Sequence, residues 1–312
     1  MGSVWIPGIG FGGGKGDTGA AGQNGYGVRT ADGRLTTVSG TPILTSNQLA
    51  KTTLYYTPFV GNQIAVYNGS TWVVLTFVET SLSLSGYTAS RNYDIWGYSN
   101  NGTFALESTI WTNDTARGTA LTTQDGVQVK SGDATRRYLG TVRINSTGGQ
   151  IDWQFGAVAA GCTEAKFTIW NESNQVFFST FFGDSANTWT HSNDGAWAAQ
   201  NGSTTARASF IVGRKTNVFE AETTNRPAPA TSTSGSVAIG LDSTSSPASN
   251  QKIMYNATGT TQCFTSSKWA GFVDPGYHYL QALDFSTGGI TTFYGDNGFA
   301  YLQTGTHFEG WF

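Results

Sequence analysis

Short runs in which apolar and polar residues alternate recur along most of the chain. Among them are Tyr93–Tyr98, Thr103–Glu107, Val127–Lys130, Tyr138–Ile144, Lys166–Trp170, Val176–Phe182, Ala208–Val212, Ser236–Leu241, Tyr277–Phe285 and Ile290–Tyr294. A period of two sends every second side chain to one face of a strand, and no window of useful length carries the 3.6-residue period of an amphipathic helix. Turn-forming pairs such as Asn101-Gly102, Asp125-Gly126, Gly148-Gly149 and Gly288-Gly289 separate the runs. The pattern predicts an all-β fold, with an antiparallel, jelly-roll-like β-sandwich head over residues 81–312. Residues 28–80 read as a small β module. Its clearest element is a hairpin, because Gln63–Tyr67 and Thr71–Val78 are β-branched or aromatic runs joined through Asn68-Gly69. Residues 226–235 are rich in Pro, Ser and Thr, and the strand-like run that follows favours a long surface loop over a linker.

The first 27 residues break this pattern. Gly10, Gly13, Gly16, Gly19, Gly22 and Gly25 recur at every third position. That period suits three extended chains wound about a crowded axis, where any side chain would collide with its neighbours. It predicts a collagen-like stalk, about 50 Å long at ~3.1 Å per residue, and hence a homotrimer. The segment has no proline within the repeat to pre-set its conformation, so the portion behind it must hold the three chains together. Val4, Trp5, Ile6, Ile9 and Phe11 are large apolar groups in a stretch too glycine-rich to fold alone. They read as an anchor that docks on another protein, giving a division into 1–27, 28–80 and 81–312.

Composition narrows the class. Hydrophobic residues make up 38% of 312, enough for a core, while charged residues are only 12%, about half the usual share. The surface is therefore polar without being ionic. A net charge of −3 with no basic cluster argues against nucleic acid as a partner. Arg136-Arg137, the densest basic spot, reads as a solvated strand end. No run approaches the ~20 apolar residues of a membrane span, and Met1–Pro7 lacks the charged and apolar regions of a signal peptide. Cys162 and Cys263 show neither metal-ligand nor redox spacing, and read as two small buried apolar side chains.

Candidate chemistry is confined to two stretches. Sugar recognition needs aromatic faces for pyranose rings and nearby amides or carboxylates for hydroxyls, and Trp189, His191, Asn193, Asp194 and Trp197 supply both within nine residues. The competing reading is that the tryptophans pack inside the sandwich. The second stretch holds Phe293, Tyr294, Asp296, Asn297, Phe299, Tyr301, His307 and Trp311. Its apolar end, Phe308–Phe312, reads as packing at the three-fold axis. Glycoside hydrolysis needs two convergent carboxylates. Asp94, Asp152, Glu164, Glu220, Glu222 and Asp242 are available without a local context that pairs any two. There is no Gly-x-Ser-x-Gly elbow. No catalytic residue, metal or cofactor is assigned.

Several of these runs also resemble a known family. Leu54–Phe59, Ile64–Tyr67 and Asn68–Trp72 are similar to a small module of tailed-bacteriophage virion fibre proteins. Tyr93–Ile95, Trp111–Arg117, Gln124–Asp133, Arg137–Thr141, Ile169–Asn171 and Trp189-Thr190 continue the likeness. It covers roughly residues 50–215. The resemblance implies a trimeric tail or head fibre of the virion, made in the host cytoplasm. Its N-terminus would be fixed to another virion protein (tail, portal-proximal or capsid), and its β head would contact a host cell-surface glycan or protein. A capsid-decorating head fibre or connector without a receptor role is the alternative, and a tailspike glycan depolymerase is the third reading. The resemblance supplies no catalytic residues.

Overall fold

The computed structural model describes residues 27–192, 195–230, 233–257, 262–295 and 304–312. The proposed anchor residues and all six stalk glycines lie outside these ranges. Among the described residues the regular structure is strand throughout, apart from one 3₁₀ turn at Gln200–Gly202. The all-β expectation holds, in several mainly antiparallel sheets. Two short pairings are parallel, Val158–Ala159 with Gly183-Asp184 and Ala165–Phe167 with Ala208–Phe210.

Two large sheets bring together strands from distant parts of the chain. In one, the neighbour order runs Gln48–Lys51, Ile151–Gln154, Ala165–Phe167, Arg207–Val212, Gly276–Ser286 and Ser234–Leu241. In the other it runs Phe177–Asp184, Gly305–Trp311, Val218–Pro229 and Thr265–Phe272. Their apolar faces meet through aromatic rings. Phe210 of the first sheet lies 4.6 Å from Phe219 and 5.3 Å from Phe308 of the second, and Phe167 lies 5.0 Å from Phe312. These side chains are fully buried, and at this size each contributes much of the driving force that holds the sheets together.

A third sheet centres on Asn92–Asn100, between Thr103–Ile110 and Asp133–Arg143. Gly140 lies where the register between Asp133–Arg143 and Asn92–Asn100 shifts. A Cβ there would sit 2.1 Å from the Trp170 carbonyl oxygen, so the close approach of the strands depends on glycine.

The hairpin forms as its sequence indicates, with Gln63 opposite Thr76 and Tyr67 opposite Trp72. Asn68 Oδ1 accepts the backbone N–H groups of Ser70 and Thr71, both at 2.9 Å, while Gly69 supplies a φ of 100° that L side chains avoid. Residues 28–80 are tied into the rest at many points. Thr53–Pro58 pairs with Thr80–Ser83, and Gln48–Lys51 pairs with Ile151–Gln154. The Arg34 guanidinium donates to Phe312 O at 3.1 Å and also to Asn174 O. One continuous hydrophobic cluster runs from Leu35 to Phe312.

Three local expectations change. Arg137 is not a solvated strand end but an interior cation, donating to the carbonyls of Val28, Ala65 and Arg29 at 2.9, 2.8 and 3.1 Å. Burial pulls its guanidinium down to about 10. Residues 226–229 are not loop but the end of the strand Val218–Pro229, paired with Thr291–Tyr294. The regular ladder to Thr265–Phe272 stops at Asn225, and beyond it Cys263 N still donates to Pro227 O at 3.4 Å, so Pro227 and Pro229 fall outside that ladder, where a missing N–H is tolerated. Cys162 is buried as expected, but Cys263 is exposed, and both are free thiols.

Candidate functional site

Alternation along Thr188–His191 settles where the aromatic candidates point. Trp189 and His191, two residues apart, share the inward face. The indole of Trp189 stacks on Phe293 at 5.9 Å with ring planes 8° apart, and its Nε1–H donates to Asp284 Oδ2 at 2.6 Å. His191 lies edge-on to Phe293 and shares a hydrogen bond of 3.1 Å with Ala196 O through Nε2. Burial depresses the basicity of its imidazole. Trp197, half-buried, packs on Phe285 at 4.7 Å. Asn193 and Asp194 lie outside the described residues. Trp189 and His191 thus occupy the interior, where neither ring face is open to a sugar.

Behind Trp189 is a polar cluster that joins the two large sheets. Asp284 projects from near the C-terminal end of Gly276–Ser286, on the same face as Leu280 and Ala282, and is fully buried. Its Oδ2 also accepts the backbone N–H of Asn201 at 2.9 Å. The side-chain amide of the same Asn201 donates to Asp184 Oδ2 at 2.8 Å, so one residue of the 3₁₀ turn bridges two buried carboxylates. Asp184 Oδ1 accepts from Gly161 N and Ala186 N. Burial, reinforced by the Asp184 charge, raises the Asp284 carboxyl to about 7 against the pull of the Asn201 and Trp189 hydrogen bonds. Asp284 Oδ1 has no partner among the described residues. Burial likewise drives the nearby Cys162 thiol well above its ordinary range, with both carboxylates adding to the effect. Its two carboxylates are sealed from solvent and can hold a proton, but they are not open to a substrate.

The acids singled out from sequence are mostly committed to structural partners. Asp94 holds Arg117 at 2.8 Å, Asp152 holds Lys166 at 3.2 Å, Glu164 holds Arg207 at 2.8 Å and Asp242 holds His278 at 2.7 Å. Among the described residues no group of three or more His, Cys, Asp or Glu side chains is placed to hold a metal ion.

Glu220 and Glu222 differ, because they stand on the outer face of the second large sheet. The pairings Phe177↔Trp311, Glu220↔Glu309 and Val218↔Phe272 put Phe177, Trp311, Val218 and Phe272 in one row across four neighbouring strands. They are 44, 45, 38 and 56% exposed. Phe177 and Trp311 rings are 5.5 Å apart and tilted by 60°. With Thr216, Asn217, Glu220 and Glu309 the row lines an open groove of about 280 Å³. The next row along the strands is Ser179, Glu309, Glu220 and Ala270, and the one after it holds Phe181, His307, Glu222 and Lys268. Lys268 Nζ contacts Glu220 at 2.7 Å, and His307 bonds Ser179 Oγ through Nε2 at 2.9 Å. Of the C-terminal candidates, Trp311 and His307 therefore face outward, Phe293 is buried, and residues 296–301 lie outside the described ranges. Sequence reading missed Phe177, Val218, Phe272 and Glu309. Each sits at an outward position of an alternating strand, which was the available signal.

No protein-family model matches the chain, and no curated protein matches it. Among solved structures the chain is similar to one titled "Structure of infectious bursal disease virus Gx strain". The identity is 10%, covering 86% of this chain and 76% of that one, with a TM-score of 0.23, a level at which neither fold nor function transfers.

Proposed function

We propose that this chain is a homotrimeric fibre or spike of a phage particle, attached through its N-terminal segment and meeting the host surface with its β head. The observation that carries the reading is the six-fold Gly repeat of residues 10–25 running directly into a strand-built body. A three-stranded stalk needs a rigid domain to gather its chains, and such a domain needs a stalk to be held away from a particle. The sparse charge and interlocked sheets suit exposure outside a cell. The outer face of the second large sheet, with its exposed aromatics, suits contact with a surface.

Gold-labelled antibody against the purified chain, applied to intact particles, is expected to mark projections from their surface. Unlabelled particles would overturn the reading. Soluble chain is further expected to slow particle adsorption to cells. Labelled particles whose adsorption is unaffected would favour the decorating or connector alternative instead.

A further inference from the structure

The outer face of the sheet formed by Phe177–Asp184, Gly305–Trp311, Val218–Pro229 and Thr265–Phe272 combines two rows of different chemistry. One is the apolar row Phe177, Trp311, Val218 and Phe272; beside it runs an acceptor row of Ser179, Glu309 and Glu220. Neighbouring strands lie about 4.8 Å apart, and successive same-face residues about 7 Å apart along a strand. The strand spacing is close to the rise of one ring in an extended sugar chain. A saccharide laid across the strands would thus meet one side chain of the apolar row per ring, over about 15 Å. Its equatorial hydroxyls would reach the carboxylates of the second row.

Charge selects among occupants. Lys268 Nζ contacts Glu220 and feels the charges of Glu222 and Glu309 from further off, and His307 Nδ1 lies 3.4 Å from Glu309 Oε1. Three carboxylates still outnumber the one ammonium, with Glu220 directly opposite Glu309, an arrangement that destabilises a free sheet. An anionic polymer would add to that repulsion. A second copy presenting this same face would double it. An uncharged chain of hydroxyl donors instead satisfies both carboxylates without bringing charge of its own.

We infer that this strip binds a linear, uncharged hexose polysaccharide, with Trp311 and Phe272 as stacking platforms and Glu309 and Glu220 as hydroxyl acceptors. The inference rests on the fibre reading for its biological setting and names the surface chemistry the head would meet. Three copies of a weak site on one particle would act together.

Affinity electrophoresis of the full chain through native gels containing soluble linear glucans, mannans or polygalacturonate tests it. At least one neutral polymer is expected to retard the protein. Trp311→Ala and Phe272→Ala, on separate strands and both at exposed positions, should each weaken retardation about tenfold, and Glu309→Gln should weaken it less. Polygalacturonate should leave migration unchanged. The inference is overturned if no neutral polymer retards the chain, if both aromatic variants behave as wild type, or if polygalacturonate retards it in preference. It is also overturned if Trp311→Ala lowers the number of copies in the assembly, which would make the strip a contact between copies. Assembly mass measured on the same samples separates the claims. A trimer that ignores every polymer sinks only the strip, whereas a wild-type protein of single-copy mass sinks the fibre reading.

Discussion

Asn201 holds a left-handed backbone, with φ of 49°, and from there its N–H and side-chain amide reach carboxylates on opposite sheets. One of these, Asp284, makes stability depend on pH. In the folded protein burial holds its carboxyl at about 7, whereas in the unfolded chain an aspartate releases its proton near pH 4. The folded state therefore binds the extra proton between those values. Its stabilising effect is complete below about pH 4 and is lost as pH rises towards 7, by an amount on the order of 4 kcal/mol. Asp284→Asn, which keeps an acceptor for Trp189 and Asn201, should remove this slope. Urea unfolding from about pH 5 to pH 8 is expected to show the variant gaining on the wild type as pH rises; parallel curves would show that Asp284 is already ionised in the folded protein. That Trp189 and His191 share a face was legible in their spacing of two, but not that the face points inward. Their partners were not, because Asp284 and Phe293 come from strands about a hundred residues later, brought near only by the sheet order.

At the scale of elements, local chemistry was the readable part. The hairpin at Gln63–Thr76 follows from two β-branched runs and an Asn-Gly turn, all within one stretch of chain. The strand ending at Pro229 was not readable, since whether two prolines can close a strand depends on where the regular ladder to its neighbour ends. Arg137 misled for a similar reason: its three carbonyl acceptors lie at Val28, Arg29 and Ala65, and nothing near residue 137 announces them. Gly140 makes a specific steric demand. Gly140→Ala would drive a methyl group into the Trp170 carbonyl, 2.1 Å from the new Cβ, and separate Asp133–Arg143 from Ile169–Asn171. The expected loss is about 1–3 kcal/mol, read as a lower urea midpoint with the m-value unchanged. A midpoint equal to that of the wild type would show that the strands part without penalty.

At the scale of the whole molecule, alternation gave an all-β chain, but the partition of strands into sheets rests on long-range pairings that periodicity does not encode. Gln48–Lys51 joins a sheet built mainly from residues beyond 150, and Arg34 closes on the carbonyl of Phe312. Such a body resists being taken apart piecewise, a useful property at the end of the proposed stalk. The exposed strip at Trp311 follows from the same long-range order, because its four side chains come from strands that become neighbours only in the folded sheet. What binds these features into one account is the proposed assembly of three copies, to which the Gly repeat points. Sedimentation equilibrium of the intact chain tests that directly. The account predicts a species of three times 33.2 kDa that persists on dilution, and a stable species of 33.2 kDa would contradict it.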